Sequence, residues 1–314
     1  MMAITMYIKV IKMKNFKLSV LFMSASLAFL GCNQSTESKP DVAAPEAASK
    51  STETSTLEQV LQAQPEEVIA RYDSRHPQQT LDFFGVKPGM SVMEALPGGG
   101  WYTKILLPYL GSEGNVIGAD YAADMFPLFG FFSPERLEAK KTWVETWTTE
   151  AQSWKTEGSA DVSAFQFGSM PEAMANSADA VVFIRALHNV ARFENEGGYL
   201  TKALNDAFRV LKPGGILGVV QHKAPETMTD EWASGARGYL KQTFVIAKMQ
   251  EAGFEFVASS DINNNPKDQP GAQDIVWRLA PSLSTSNEDP KLKDELQAIG
   301  ESNRMTLTFK KPKN

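Results

Sequence analysis

The sequence has one cysteine, Cys32, and three histidines, His76, His188 and His222. A single thiol excludes an internal disulfide, and once that thiol is consumed nothing is left to oxidise in an exported chain. The uncharged stretch Leu18–Gly31 is fourteen residues long, short of the ~20 apolar residues that a bilayer-spanning helix needs. A basic stripe with interleaved aromatics is also missing. The formal charge is −6, and the first 31 residues carry Lys9, Lys12, Lys14 and Lys17 without an acid, so their removal leaves −6 − 4 = −10. Such a surface repels phosphate backbones, so no nucleic-acid partner is expected. No metal site is expected either.

What is present is a globular composition, 43% apolar and 22% charged, enough for one large core. The N-terminal lysines followed by a short apolar run have the form of a secretion signal. The run ends in Ala28-Phe29-Leu30-Gly31-Cys32, which resembles a lipobox, with cleavage before an acylated Cys32. A compact n-region, Met13-Lys14-Asn15-Phe16-Lys17, leaves Met13 as an alternative start. Residues 32–56, rich in Ser, Thr, Ala, Pro and Glu, read as a solvated tether. The expected organisation is a lipoprotein signal at 1–31, a tether at 32–56 and one domain at 57–314. Asn33 after the cysteine points to the periplasmic face of the outer membrane, with Cys32 as the lipid anchor.

Within the domain, helical spacing at Val60, Leu61 and Val68 predicts one or two helices interrupted by Pro77. Strands are predicted at 91–96, 115–120, 162–167, 180–184, 216–221, 254–259 and 305–310, with Lys212-Pro213-Gly214-Gly215 as the turn into the fifth. Helices are predicted at 102–110, ended or kinked by Pro108, at 199–211 and near 243–252. Ser133-Pro134-Glu135 reads as the cap of a further helix whose one face carries Leu137, Val144, Trp147, Ala151 and Trp154. That stripe is either core packing or a ligand platform. Strands alternating with helices predict an α/β, doubly wound, mostly parallel sheet.

The stretch from Val92 to Tyr102 is a strand with an acid, Glu94, then Pro97, Gly98, Gly99 and Gly100 opening a helix. It resembles the first motif of class I S-adenosylmethionine-dependent methyltransferases, with Leu96 where the pattern has its first glycine, and this implies Glu94, Pro97, Gly98, Gly99 and Gly100 as cofactor-binding residues. Glycines let backbone approach a ligand closely, and helix-start amides suit the carboxylate of a methionine moiety. Thr103 stands where a nicotinamide-type glycine pattern needs a third small residue, which argues against a dehydrogenase. The Pro-Gly-Gly-Gly-Trp-Tyr-Thr run is also similar to a bacterial group of methyltransferases that carry secretion signals.

The resemblance implies a seven-stranded sheet with the last strand antiparallel, and S-adenosylmethionine as the cofactor. It implies Asp120, at the end of the second strand, as the acid that accepts from both ribose hydroxyls, and Tyr121 as an adenine neighbour. Asp120 as a turn cap on the surface is the other reading. Ser169, with Met170, stands where the family has an acid facing adenine, or else Ser169 caps a helix. Arg185 follows the fourth strand and is placed with the cofactor. His222 first and His188 second are candidates for a catalytic base, both just after strands; structural histidines are the alternative.

Three further segments have double readings. Arg71, Asp73, Arg75 and His76 either line a lid or form a solvated helix face. The run Met125–Phe132 either fills the core or lines a pocket. The insertion 261–302 either covers the substrate side or is surface loop. The expected function is methyl transfer to an unidentified acceptor, a small molecule or an apolar one. The competing expectation is an exported, non-catalytic ligand-binding lipoprotein on the same fold, since S-adenosylmethionine is made inside the cell.

Overall fold

The computed structural model describes residues 55–313. The signal segment, Cys32 and all but the last two tether residues lie outside the described residues. Four short helices come first: α1 (Leu57–Gln62), α2 (Glu66–Ile69), α3 (Tyr72–Arg75) and α4 (Pro77–Phe83). Thr56 caps α1 by a reciprocal box: its hydroxyl accepts from Gln59 N at 3.3 Å while Gln59 Oε1 accepts from Thr56 N at 2.9 Å. The expectation that Pro77 interrupts one or two helices is corrected. His76, at φ +42°, ends α3, and Pro77 starts α4 from the first helical position, where its missing N–H costs nothing.

Seven strands follow among the described residues, with helices between them. In chain order they are β1 (Ser91–Ala95), α5 (Thr103–Leu110), β2 (Asn115–Asp120), α6 (Pro134–Lys140), α7 (Trp143–Ser153), β3 (Asp161–Gln166), β4 (Ala178–Ile184), α8 (Leu187–Arg192), α9 (Glu194–Gly197), α10 (Tyr199–Val210), β5 (Leu211–His222), α11 (Gln242–Glu251), β6 (Glu255–Ser260), α12 (Pro290–Ile299) and β7 (Arg304–Lys310). The sheet order is β3-β2-β1-β4-β5-β7-β6, and β7 runs antiparallel to both neighbours. The chain leaves β1 toward β2 on one side and later returns to β4 on the other. This reversal opens a crevice at the carboxyl edge, where such sheets bind ligands.

Alternation along the strands explains the two cores. Met93, Ile117, Val181 and Leu217 face one layer of helices, and Val92, Val116, Ala180 and Val182 face the other. Glycine brings helices close at two points: a Cβ on Gly118 would lie 2.5 Å from the Trp147 ring, and one on Gly218 would lie 2.5 Å from that of Phe84.

Three local expectations change. Pro108 stays inside α5, and the Lys104 carbonyl that a residue at 108 would have used accepts instead from Gln64 Nε2 at 3.4 Å. The single helix expected after Ser133 is two, α6 and α7, and its buried face is Trp143, Trp147 and Ala151, whereas Val144 is exposed. The Lys212–Gly215 segment, expected as a turn, is the first part of β5, where pairing with β4 shifts register. No helix among the described residues is long and apolar enough to cross a membrane.

Gly118→Ala should force Trp147 to move and lower stability by about 1–3 kcal/mol. Urea unfolding followed by tryptophan fluorescence reads both effects.

Candidate functional site

After β1 the chain must turn at once into α5, and it does so through left-handed backbone at Leu96, Gly98 and Gly100, with φ of +54°, +54° and +77°. The loop at Leu96 therefore keeps the conformation that a glycine favours, at a cost of about 1–2 kcal/mol for a residue with a Cβ. The tight packing is on Gly100, where a Cβ would meet Trp154 at 2.3 Å; around Gly99 there is open space within 4 Å. The amides of Gly98 and Gly99 have no hydrogen-bond partner among the described residues. Open backbone with free donors suits an anionic or carbonyl-bearing ligand.

Glu94 lies beneath this loop. It is buried, accepts from the Thr103 hydroxyl at 2.6 Å and lines neither cavity described below. Burial pushes its carboxyl up to about 7, against the lowering effect of Thr103. Glu94 thus ties β1 to the start of α5.

Two cavities share the loop. The larger, of about 600 Å³, runs along Leu96–Gly99 to Arg185, His188, His222 and Glu301. The smaller, of about 330 Å³, holds Asp120, with Leu96 and Gly98 on one side and Lys140, Trp143 and Trp147 on the other. Leu96, Gly98 and Tyr121 belong to both walls. Asp120 is buried and sits 3.4 Å from Lys140 Nζ; burial raises its carboxyl, while Lys140 and the Tyr121 amide hold it down. Tyr121 packs against Phe126 and Phe129, so part of the aromatic run anchors it in the core. The far end of that run, Phe131, is 64% exposed.

Arg185, His188 and His222 meet in the larger cavity, although Arg185 and His222 stand 37 positions apart in the chain. Arg185 has φ +57°, another left-handed residue at the crevice. His188 Nδ1 lies 3.3 Å from Gln221 Oε1, an acceptor, which assigns the proton to Nδ1 and leaves Nε2 with its lone pair. His222 Nδ1 lies 2.5 Å from Ser302 Oγ, and the two imidazoles are 5.2 Å apart. Burial, reinforced by Arg185 and opposed by Gln221, pushes His188 down to about 4. Burial, then His188 and three arginines, holds His222 well below its ordinary value. Both rings are neutral at neutral pH and can accept a proton or a hydrogen bond.

Glu301 is surrounded by guanidinium groups. Arg71 contacts it directly, Arg75 Nε lies at 3.2 Å, Arg304 Nη2 at 3.0 Å and Arg185 Nη1 at 3.8 Å. Arg71 and Arg75 are therefore paired with Glu301 and do not form a solvated helix face. The insertion covers the cavity, contributing Val276, Trp277, Leu279 and Pro281 besides Glu301 and Ser302. Ser169 and Met170, expected beside adenine, line neither cavity: Ser169 is exposed and Met170 packs in the core.

Residues 93–219 match the family model of a methyltransferase domain. The matched stretch spans β1 to β5 and contains the glycine loop, Asp120, Arg185 and His188; it stops before His222 and the insertion. Among solved structures, the cyclase SpnF is similar at 18% identity and a TM-score of 0.50, over 77% of this chain and 81% of that one. An S-adenosylmethionine-dependent methyltransferase from Aquifex aeolicus is similar at 17% identity and a TM-score of 0.44, over 66% and 93%. The seven-stranded sheet is that of the class I methyltransferase fold. No curated protein matches the chain.

Trp143 and Lys140 are site residues that the sequence did not mark; Trp147, stacked on Trp143 at 5.5 Å beside Asp120, belongs to the stripe read as core or ligand platform and serves as both. Glu94 gives a pH test. Its folded-state value is raised, so stability is fully present below about pH 4.5 and is lost as pH rises through about 7. The loss amounts to roughly 3 kcal/mol. Glu94→Gln should remove that slope in denaturation curves taken from pH 4.5 to 8.

Proposed function

We propose that the protein is an S-adenosylmethionine-dependent methyltransferase acting on a small-molecule acceptor. The observation that carries this reading is the cavity that Gly98 and Asp120 line together: the unpartnered Gly98 amide and a buried carboxylate border one space at the switch point of the sheet. The match of residues 93–219 to a methyltransferase domain supports it independently. When bound, the cofactor supplies a methyl group on a sulfonium.

The residues divide the work. Gly98 and Gly99 amides receive the amino-acid end, and Asp120 accepts from the ribose hydroxyls after sharing or releasing Lys140. Trp143, Trp147 and Tyr121 offer flat apolar faces for the base. On the β4–β5 side, His188 and His222 face the acceptor as neutral imidazoles, and either can take the proton that an oxygen or nitrogen nucleophile loses. Covering by Val276, Trp277 and Leu279 keeps water from the reacting groups. Neither the cavities nor the domain match favours the non-catalytic alternative.

We further propose that the chain is exported and anchored through a lipid on Cys32, on the grounds of the signal-like N-terminus. Cys32→Ser should move the protein from the membrane fraction to the soluble one; unchanged fractionation contradicts the anchor.

Titration calorimetry with S-adenosylhomocysteine tests the main reading. The wild type should bind, and Asp120→Ala should bind with roughly 1–3 kcal/mol less free energy, the scale of losing a charged hydrogen-bond partner. Equal affinity for both proteins removes Asp120 from the site, and absence of binding to the wild type removes the methyltransferase reading.

A further inference from the structure

The charge around Glu301 does not balance. Four guanidinium groups, from Arg71, Arg75, Arg185 and Arg304, share one carboxylate, and among the described residues no other acid lies within ion-pair distance of any of them. Two of the four, Arg75 and Arg304, are almost fully buried, as is Glu301. Clustering depresses the arginines themselves: burial, then Arg185, brings Arg75 down to about 10. An excess of three positive charges in a cluster whose centre is buried is costly unless a counter-charge arrives.

Arg185 is the member of the cluster that can receive one. It contacts Glu301 only at 3.8 Å, its Nε is buried without a hydrogen-bond partner, and it lines the larger cavity. The same cavity is lined by His188, His222 and Ser302 and by the apolar Val276, Trp277 and Leu279, with Trp277 edge-on to His188 at 5.9 Å. The glycine loop borders the same cavity from the β1 side, and its free Gly98 and Gly99 amides are separate donors for a ligand carboxylate.

We propose that the β4–β5–β7 half of the cavity is an acceptor site that selects an anionic small molecule, a carboxylate or a phosphate ester. Its charged group pairs with Arg185 at the edge of the Glu301 cluster, and its apolar body packs on the Trp277 wall. This rests on the methyltransferase reading for the word acceptor, but the anion site stands on its own geometry. The alternative source of the same chemistry is the carboxylate of the cofactor, with which the family resemblance places Arg185.

The test uses benzoate and phenyl phosphate as anionic probes, benzamide as the uncharged counterpart, and inorganic phosphate. Each is titrated into the purified protein with and without S-adenosylhomocysteine. Benzoate or phenyl phosphate should bind and benzamide should bind far more weakly. Arg185→Gln, and separately Arg71→Gln at the partly exposed edge of the cluster, should weaken anion binding, the former by roughly tenfold or more. Thermal unfolding checks that each variant is folded. In the cofactor arm, Arg185→Gln should leave S-adenosylhomocysteine and 5′-methylthioadenosine, which lacks the carboxylate, with unchanged affinities.

The proposal is overturned if benzamide binds as well as benzoate, if none of the anions binds at tens of millimolar, or if folded Arg185→Gln binds them as the wild type does. It is also overturned if Arg185→Gln weakens S-adenosylhomocysteine but not 5′-methylthioadenosine, which assigns Arg185 to the cofactor. Wild type that binds anions but no S-adenosylhomocysteine contradicts the methyltransferase reading and leaves the anion site standing.

Discussion

A single buried carboxylate, Glu301, ties together the parts of the chain that enclose the larger cavity. Arg71 is the N-cap of α3 and Arg75 its last residue, Arg185 directly follows β4, and Arg304 starts β7. The carboxylate is held below its usual range because four guanidinium groups, Arg304 foremost, outweigh the cost of its burial. Losing it would leave like charges facing one another in the interior, which the protein could relieve only by opening. The N-terminal helices and the insertion are thus held over the crevice by charge as well as by apolar packing.

The same cluster sets the chemistry of the histidines. Guanidinium groups near His222 and His188 add to burial in keeping both rings neutral. An anion entering beside Arg185 would offset part of that field and make the rings better proton acceptors. Acceptor binding and readiness for proton transfer would then be coupled through one set of charges, with no change of shape required.

The sheet was legible because each strand carries its own signal. Asn115–Asp120 has the predicted bounds, and the others differ by a few residues at most, apart from the early start of β5, where Pro213 and the glycines read as a turn. Asp120 was legible as the last residue of a strand after a tight turn. The glycine loop was too, and Leu96 shows that its backbone follows glycine geometry even where the side chain does not. What the sequence hid is the pairing of distant residues. Arg71 and Glu301 are 230 positions apart, and neither has a local pattern that marks it as more than a surface charge. The two tryptophans beside Asp120 pack in the core and line the cavity at once, so helical spacing alone could not choose between those roles. Ser169 fitted a position in a motif, but the turn after β3 leaves it in solvent.

One ligand is expected to bridge the free amides of Gly98 and Gly99 and the carboxylate of Asp120. A crystal structure of the protein grown with S-adenosylhomocysteine measures this directly. It should show the amino-acid end against Gly98 and Gly99, the ribose on Asp120 in place of Lys140, and the sulfur turned toward His188 and His222. Ligand density elsewhere, or Lys140 still paired with Asp120 and the ligand lying across Arg185 and Glu301, would contradict it.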